Sequence, residues 1–434
     1  MEIQEFIKKD LGNTLIAGVG PAAIQIAVHL SRGYSKKIGL YNRPGIHADR
    51  LKVELGENDY HVSLTVQGID TEFKAKISSF SDDCDSVQDE WDTLILSTPS
   101  HSYSDVMKTL HAGHWKRLKT IILISPNIGS NDLVKNYIDC NRVEVISMST
   151  YYAATKFSSS NSVISAHTKT YKKRIYMAST KEKSPILEVL NRLLNELEIE
   201  AVMVDNTVDA ECRNITTYVH PALFMNAFTL YEIFDMSSAG KKFLYKLYPE
   251  GPITQESIRT MVALWKEISN LVTYLGAMPI NLLQFLNDDN YPVPEESLSR
   301  EDIENYETYE RIKQEYLLYI RYSTILIDPF STPDQNGRYF EFSAVPFKRA
   351  KEVEEKRWHV PRIPFEDYQK LCVINGISKA FGLNMPKTEA LIAQFELQCE
   401  RIESRIGMNQ PLLKPWKESA SQDVEAFLKA RGEL

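Results

Sequence analysis

The segment from Glu211 to Asn226 carries the residues best suited to acid–base chemistry, because it brings together Arg213, Asn214 and His220. Histidine exchanges protons near neutral pH, and arginine binds a carboxylate through two parallel hydrogen bonds. A helical period places Arg213 and His220 on roughly one face, which predicts a proton-transfer group beside a carboxylate clamp. A buried structural histidine gives the same spacing and is the more common cause of it, so both interpretations stay open here.

Two charged residues, Arg321 and Asp328, interrupt an otherwise apolar helical run farther along the chain. A buried charge is costly unless it is paired or used in chemistry. A carboxylate can orient an imidazole and stabilise its protonated form, so Asp328 is the predicted partner of His220. The alternative is a carboxylate that ends a helix before proline. Either Arg213 or Arg321 is predicted to bind a substrate carboxylate.

A glycine-rich turn lies near the N-terminus, where the apolar run from Thr14 ends in Gly18-Val19-Gly20 and a helical pattern follows at once. Strand, tight turn and helix in this order place a pyrophosphate on the N-terminus of the helix, which predicts a dinucleotide site. A glycine turn in another kind of α/β domain is the alternative. The residues predicted to line the pyrophosphate site are Gly18, Gly20, Pro21, Ala22 and Ala23.

A second strand-like run ends in Asn42 and Arg43, where an NAD-binding site usually carries an acidic residue. An acidic side chain accepts a hydrogen bond from the ribose 2′-hydroxyl, whereas arginine binds a 2′-phosphate. Asn42 and Arg43 therefore predict NADPH as the cofactor, unless Arg43 is a solvated loop charge. Two more strand-like runs end in polar or proline turns, and the carboxyl ends of strands in an open sheet bind ligands. The predicted cofactor contacts there are Ser97, Thr98, Pro99 and Asn127, with Ser125 and Pro126 beside them.

Strand and helix patterns alternate over about the first 200 residues. This alternation predicts an α/β Rossmann domain over residues 1–205, with a doubly wound, mostly parallel sheet. Its predicted strands are residues 14–19, 37–42, 93–97, 120–125, 143–149, 174–178 and 201–204. Helical periodicity dominates afterwards, so residues 206–434 are predicted to form a mainly α-helical catalytic domain. Its predicted helices are residues 215–231, 254–275, 301–327, 365–381 and 388–406, and residues 410–434 are predicted to be peripheral.

The composition narrows the class of protein. The chain has 434 residues, of which 43% are hydrophobic, and a net charge of −8, so a nucleic-acid partner is not expected. An apolar run long enough to cross a membrane is missing from the sequence, and so is a signal-peptide core, so no membrane association is predicted. The five cysteines form no CxxC pair, which favours reduced thiols in the cytoplasm over a disulfide framework or a zinc site. No metal site is predicted.

Several longer segments resemble the opine dehydrogenases, and within them the branch that makes opine-type metallophores. The resemblance covers nearly the whole chain, and the most specific segments are Ile325-Leu-Ile-Asp-Pro-Phe-Ser331 and Phe342-Ser-Ala-Val-Pro-Phe-Lys348. The other matching segments are residues 18–25, 122–130, 145–151, 218–226, 248–253, 281–285 and 315–322.

The resemblance implies a two-domain, homodimeric enzyme that uses NADPH to condense an amino group with a 2-oxo acid. In the metallophore branch the amine is a nicotianamine-like histidine derivative, the 2-oxo acid is pyruvate or 2-oxoglutarate, and the product is an exported metal chelator. By resemblance, His220 is the catalytic histidine, Asp328 is its carboxylate partner and Arg43 meets the 2′-phosphate. Asn214 and Tyr218 are predicted to support substrate binding.

One position bears on the 2-oxo acid, because the staphylopine type carries an aspartate where this chain has Ala154. An aspartate beside the 2-oxo acid would repel a second carboxylate, whereas alanine would not, so Ala154 favours 2-oxoglutarate over pyruvate. Two other functions remain open. A 2-oxo acid reductase related to ketopantoate reductase or glycerol-3-phosphate dehydrogenase would need no amine, and a non-catalytic regulator would bind NADPH without turnover.

Overall fold

The computed structural model describes residues 11–234, 242–324, 337, 345–352, 358–406 and 412–433. These residues fall into two compact units. The first unit runs to Arg213 and takes in the end of the chain from Ala426, and the second unit covers Asn214–Glu425. Among the described helices, none combines the length and the apolar composition that a membrane span requires.

The first unit is built from alternating strands and helices. Its strands are β1 (Asn13–Ala17), β2 (Lys37–Tyr41), β3 (His61–Val66), β4 (Ile69–Lys76), β5 (Ser79–Ser81), β6 (Thr93–Leu96), β7 (Thr120–Leu123), β8 (Glu144–Met148), β9 (Ala153–Phe157), β10 (Ser165–Tyr171), β11 (Arg174–Ser179) and β12 (Glu200–Met203). Its helices are α1 (Pro21–Leu30), α2 (Ile46–Glu57), α3 (Tyr103–Leu110), α4 (Ser130–Lys135), α5 (Pro185–Asn195) and α6 (Thr207–Glu211).

Eight strands form the main sheet, in the order β12-β11-β8-β7-β6-β1-β2-β5. All neighbours pair in parallel except β8 and β11, which are antiparallel. Every residue of β6 and β7 is buried, as expected for strands covered on both faces. The strand order reverses beside β1, which leads to β2 on one side and β6 on the other. The prediction of a doubly wound, mostly parallel sheet is therefore confirmed.

A second sheet of four strands, in the order β4-β3-β10-β9, was not predicted from the sequence. It packs against α1, mainly through β3, β9 and β10. A buried polar network joins the two: Gln25 donates to Thr168 Oγ1 at 2.8 Å and accepts from the Tyr151 hydroxyl. Thr155 and Thr168 share a further hydrogen bond of 2.9 Å. Buried polar groups need such partners, so the network fixes how the small sheet sits on α1.

The second unit is mainly helical, as predicted. Its elements are α7 (Ile215–Phe224), α8 (Ala227–Phe234), α9 (Gln255–Tyr274), α10 (Leu282–Asp288), α11 (Arg300–Glu304), α12 (Arg311–Thr324), the short strands β13 (Lys351–Glu352) and β14 (Trp358–His359), α13 (Arg362–Ala380), α14 (Pro386–Ile406) and α15 (Leu413–Arg431). The helix predicted over residues 215–231 is divided, because the Asn226 side chain bonds the carbonyls of Ala222 and Leu223 and the amide of Thr229.

The expectation that residues 410–434 are peripheral was wrong. Helix α15 occupies most of this stretch, and its Phe427 is fully buried. Ala426 joins the core formed by one face of the main sheet and α3. Near the end of the helix, Arg431 binds the Asp132 carboxylate of α4 at 2.8 Å. The charged sequence concealed the apolar residues at the end of α15, which belongs to the first unit from Ala426 onward.

His29 on α1 has 2% of its surface exposed and lies between two tyrosines. Its Nδ1 is 3.2 Å from the Tyr152 hydroxyl, and its Nε2 is 3.4 Å from the Tyr171 hydroxyl. Burial, with the nearby charge of Arg32, lowers the pKa of His29 from 6.5 to about 3. The imidazole is therefore neutral in the folded protein near neutral pH.

We expect the protein to lose stability as the pH falls from about 6.5 towards 3, because the unfolded chain binds a proton at His29 and the folded chain does not. One such proton corresponds to about 1.4 kcal/mol of unfolding free energy per pH unit. Urea denaturation of the wild type and of His29→Gln across this range measures the effect. The glutamine variant should lack this component of the slope, and equal slopes for the two proteins would refute the assignment.

Candidate active site

The turn between β1 and α1 depends on two glycines with different surroundings. Gly18 has a φ of +91°, and a Cβ placed there would collide with the side chain of Thr98. Gly20 caps α1 in an extended conformation, and a Cβ there would meet nothing within 4 Å. Pro21 begins the helix, and Ala23 is fully buried. The open space beside Gly20, at a helix N-terminus, fits a pyrophosphate that approaches the backbone closely.

Val19, between the two glycines, is held from both sides. Its amide donates to Asn42 Oδ1 at 3.1 Å, and its carbonyl accepts from His47 Nε2 at 2.6 Å. Asn42 Nδ2 in turn donates to the carbonyl of Arg43 at 2.9 Å. Asn42 thus shapes the turn, whereas the side chain of Arg43 is exposed after β2, and its guanidinium forms no hydrogen bond or ion pair with the described part of the chain. The guanidinium of Arg43 is available to an anionic group, which fits the predicted 2′-phosphate contact.

The predicted cofactor contacts that follow β6 and β7 lie at the carboxyl edge of the main sheet. Ser97 Oγ and Thr98 Oγ1 are buried and lack a hydrogen-bond partner among the described residues. Pro99 is exposed, and Asn127 is buried in the loop after β7. Buried hydroxyls without partners are uncommon in folded proteins, so Ser97 and Thr98 fit a site whose bound group completes their hydrogen bonds. The contacts themselves stay predictions.

Helix α7 presents His220. Asn214 caps this helix by accepting from the amide of Thr216 at 3.1 Å and from its hydroxyl at 2.7 Å. Tyr218 is buried. The expectation that Arg213 shares a helical face with His220 was wrong, because Arg213 precedes the cap. Its guanidinium donates to the carbonyl of Asp209 at 2.5 Å and lies 5.0 Å from the centre of the Tyr176 ring.

Asp367 on α13 is the carboxylate that meets His220. Its Oδ1 lies 3.3 Å from His220 Nδ1, and the two side chains are 3% and 15% exposed. The His220 and Phe224 rings pack at a steep angle, with 4.9 Å between ring centres. Asp367 Oδ2 is buried and has no hydrogen-bond partner among the described residues. A proton on Nδ1 would face Asp367 and leave Nε2 for a substrate, which is the arrangement of a catalytic acid–base pair.

Asp367 was not predicted from the sequence, because it lies 147 positions from His220 along the chain. Asp328, the partner predicted from the sequence, lies outside the described residues. The signal for Asp367 was the acidic pair Glu366-Asp367 inside an otherwise amphipathic helical pattern, which alone does not point to His220.

A further charged group of α13, Lys370, contacts the first turn of α7. Lys370 is half-buried and donates to Thr216 Oγ1 at 2.9 Å, and desolvation lowers the pKa of this amine. Glu366, whose pKa is raised by burial, lies 3.2 Å from the guanidinium of Arg362. A lysine bonded to the first turn of α7 restricts how that helix can shift along α13. The orientation of His220 on α7 is therefore set by two contacts with α13, one from Asp367 and one from Lys370.

Two residues predicted to bind substrate have other surroundings in the structure. Arg321 is 2% exposed, and its Nη2 donates to the carbonyls of Leu286 at 2.7 Å and Tyr291 at 2.9 Å. Burial lowers the pKa of Arg321 to about 10, so it stays charged while it holds the segment after α10. Ala154 is exposed on β9, opposite Thr170. Their roles toward a substrate stay predictions.

We expect Gly20→Ala to keep the stability of the wild type but to bind NADPH roughly tenfold more weakly or worse, because the added methyl group occupies the space for the pyrophosphate. Thermal melting and NADPH fluorescence titration measure the two effects. Gly18→Ala is the contrasting variant and should melt at a lower temperature, since its methyl group collides with Thr98. Wild-type affinity in Gly20→Ala would exclude a pyrophosphate at this turn.

Comparisons with known proteins agree on one family. The family described as staphylopine dehydrogenase matches residues 12–427. Pseudopaline synthase of Pseudomonas aeruginosa is 40% identical over 416 residues, which cover 94% of this chain and 95% of that protein. Staphylopine synthase of Staphylococcus aureus is 36% identical over 398 residues, which cover 90% and 91% of the two chains.

Among solved structures, yersinopine dehydrogenase with NADP+ bound has a TM-score of 0.87 and 33% identity, and the match covers 96% of this chain and 99% of that one. The similarity thus spans the dinucleotide turn and the helices that carry His220 and Asp367. The chain therefore belongs to the staphylopine dehydrogenase family, a branch of the opine dehydrogenases.

Proposed function

We propose that this opine dehydrogenase uses NADPH to join the amino group of a nicotianamine-like, histidine-derived amine to a 2-oxo acid, forming an opine-type metallophore. The pairing of His220 with Asp367 carries the proposal, because it gives a chain of this family an acid–base group with a buried counter-charge. The names of the relatives, pseudopaline synthase and staphylopine synthase, and a solved relative that binds NADP+ support the product class and the cofactor.

The proposed reaction needs proton transfers at two atoms. The amine attacks the keto carbon, and the resulting carbinolamine loses its hydroxyl as water to give an imine. His220 takes the proton from the attacking nitrogen and returns one to the departing hydroxyl, while Asp367 stabilises the charged imidazolium. NADPH, when bound, supplies the hydride that reduces the carbon–nitrogen double bond. The balance is amine, 2-oxo acid, NADPH and one proton giving the opine, NADP+ and water.

The proposed binding roles follow from the surroundings of each residue. Gly18 and Gly20 accommodate the pyrophosphate, Arg43 binds the 2′-phosphate, and Ser97 and Thr98 complete their hydrogen bonds with the bound cofactor. The remaining proposed contacts are Pro21, Ala22, Ala23, Asn42, Pro99 and Asn127 for the cofactor, and Arg213, Asn214, Tyr218, Arg321 and Ala154 for the substrates. We further propose that residues 1–205 serve the cofactor and residues 206–434 the substrates.

The 2-oxo acid, the assembly and the compartment belong to the same proposal. An aspartate at position 154 would repel the second carboxylate of 2-oxoglutarate, whereas Ala154 exerts no such repulsion. Ala154 therefore favours 2-oxoglutarate over pyruvate. A homodimer follows from the resemblance to the family. No disulfide joins the five cysteines in the described part of the chain, which suits the reducing cytoplasm.

The reaction is tested by incubating the purified enzyme with NADPH and pyruvate or 2-oxoglutarate, each with and without the histidine-derived amine. We expect NADPH oxidation only when both substrates are present, a faster rate with 2-oxoglutarate, and a product whose mass is that of the condensed and reduced pair. His220→Asn should slow the chemical step by roughly 10²–10⁴-fold without weakening NADPH binding. Oxidation that needs no amine would instead indicate a simple 2-oxo acid reductase.

Asp367→Asn should lower kcat by roughly 10²–10⁴-fold with little change in the Kd of NADPH, because the amide cannot stabilise a protonated His220. Glu396→Gln is a matched control, since this carboxylate also contacts α13, through the Tyr368 hydroxyl at 2.9 Å, but does not touch His220. Asp328→Asn, measured in parallel, should cost less than Asp367→Asn. The opposite ranking would return the role of partner to Asp328.

A further inference from the structure

Glu211, the last residue of α6, is a fully buried carboxylate that the proposed reaction does not use. Its Oε2 accepts from the amide of Gly129 at 2.8 Å. Its Oε1 accepts from the amide of Asn131 at 2.7 Å and from the Ser147 hydroxyl at 3.0 Å. One side chain thereby joins the loop between β7 and α4 to the end of β8.

No cation neutralises this carboxylate among the described residues. The nearby Lys135 and Arg431 bind Asp132 instead, at 2.5 and 2.8 Å. Burial, and secondarily the charge of Asp132, raise the pKa of Glu211 to about 8 in spite of its three donors. Burying a carboxylate without a cation is expensive, so its presence calls for a role that an apolar side chain could not fill.

The loop between β7 and α4, which Glu211 contacts, contains a tight turn with one residue in the left-handed region. Gly129 is in the left-handed region, with a φ of +87°, and ends the loop at the start of α4. Ser130 Oγ accepts from the amide of Asn127 at 2.9 Å, and the Ser130 amide donates back to the Asn127 carbonyl at 3.0 Å. With Glu211 bound to the amides of Gly129 and Asn131, this compact turn is fixed at its far end. Asn127 therefore depends on Glu211 for its position.

The place of this loop in the sheet indicates what it positions. A doubly wound fold binds a dinucleotide in two halves, one on each side of the point where the strand order reverses. In this sheet β1 and β2, with the glycine turn and Arg43, form the half that would take the adenosine 2′-phosphate. Strands β6, β7 and β8 form the other half, which would take the nicotinamide nucleotide.

We propose that Glu211 is a positioning residue for hydride transfer, which holds the loop of residues 124–131, and with it Asn127, against the nicotinamide half of the cofactor. This inference rests on the proposed reduction. A carboxylate suits the role because each of its oxygens accepts from a backbone amide at once, whereas a glutamine offers one accepting oxygen and turns an NH2 group toward a donor.

Glu211→Gln tests the proposal, first without cofactor. Hydrogen exchange measured by mass spectrometry should be faster in the peptide covering residues 124–131 than in the wild type, because an amide that loses its acceptor opens more often. Glu144→Gln is the matched control. Glu144 is another buried carboxylate, but it lies at the start of β8 and accepts from Ser179 Oγ at 2.7 Å. It should leave exchange in residues 124–131 unchanged.

Turnover gives the second measurement. In Glu211→Gln, kcat should fall roughly ten- to a hundredfold, and the isotope effect with NADPH deuterated at the transferred position should increase, because a misplaced nicotinamide makes the transfer step limiting. A purely structural role would lower the melting temperature without changing the isotope effect. Faster exchange together with a wild-type kcat and isotope effect would overturn the proposal.

Two further measurements keep the outcomes distinct. Should Glu211→Gln fail to fold, Ser147→Ala removes one donor and keeps the carboxylate, so it should show smaller changes in the same direction. The fluorescence of bound NADPH, which reports on the surroundings of the reduced nicotinamide, should differ between the wild type and either variant. If the wild type reduces no pair of amine and 2-oxo acid, the proposed function fails, and unchanged exchange and fluorescence would separately refute the role of Glu211.

Discussion

The close approach of the Gly18 backbone to the Thr98 side chain, at the turn between β1 and α1, is the constraint on which the predicted cofactor site depends. Strand β1 pairs with both β2 and β6, and Gly18 directly after it leaves no room for a side chain beside Thr98. Any larger residue would separate β1 from the segment after β6. The same turn is held at Val19 by Asn42 and His47, so two glycines and two polar side chains fix the start of α1. The helix N-terminus is therefore in place before a ligand arrives.

In the second unit, the energetic cost of removing charged side chains from water falls mainly on two helices, α7 and α13. His220, Asp367 and Lys370 are all largely removed from water on α7 and α13, and apolar side chains would pack there at lower cost. Buried ionisable groups of this kind gather where proton transfer is needed, because a buried counter-charge can support a charge that develops during the reaction. The first unit also buries a carboxylate, that of Glu211, which accepts hydrogen bonds from the backbone amides of Gly129 and Asn131. In each unit, a buried carboxylate holds neighbouring groups in place: Asp367 contacts the His220 ring, and Glu211 accepts from backbone amides.

Local patterns were sufficient for much of this fold. Short apolar runs with turn residues located β1, β2, β6, β7, β8, β11 and β12, because the central strands of the sheet are covered on both faces and are therefore mostly apolar. The small sheet was missed, since β4 is polar and largely exposed, β9 has only one buried residue, and the pairing of β10 with β3 joins distant segments. Residues 410–434 were misjudged because a helix with one buried face and many charges reads as a surface segment until the core that receives Phe427 is known.

The glycine turn, Arg43 and the alternation of strands and helices were determined by the sequence alone, because each depends on residues that are close along the chain. The environment of His220 was decided only by the tertiary structure. Its hydrogen bond to Asp367 joins two helices whose contact depends on how all their side chains pack, and no local pattern encodes that. The same holds for Glu211, which the sequence shows as one acidic residue near a helix end. Only folding removes it from water and turns it toward the amides of Gly129 and Asn131.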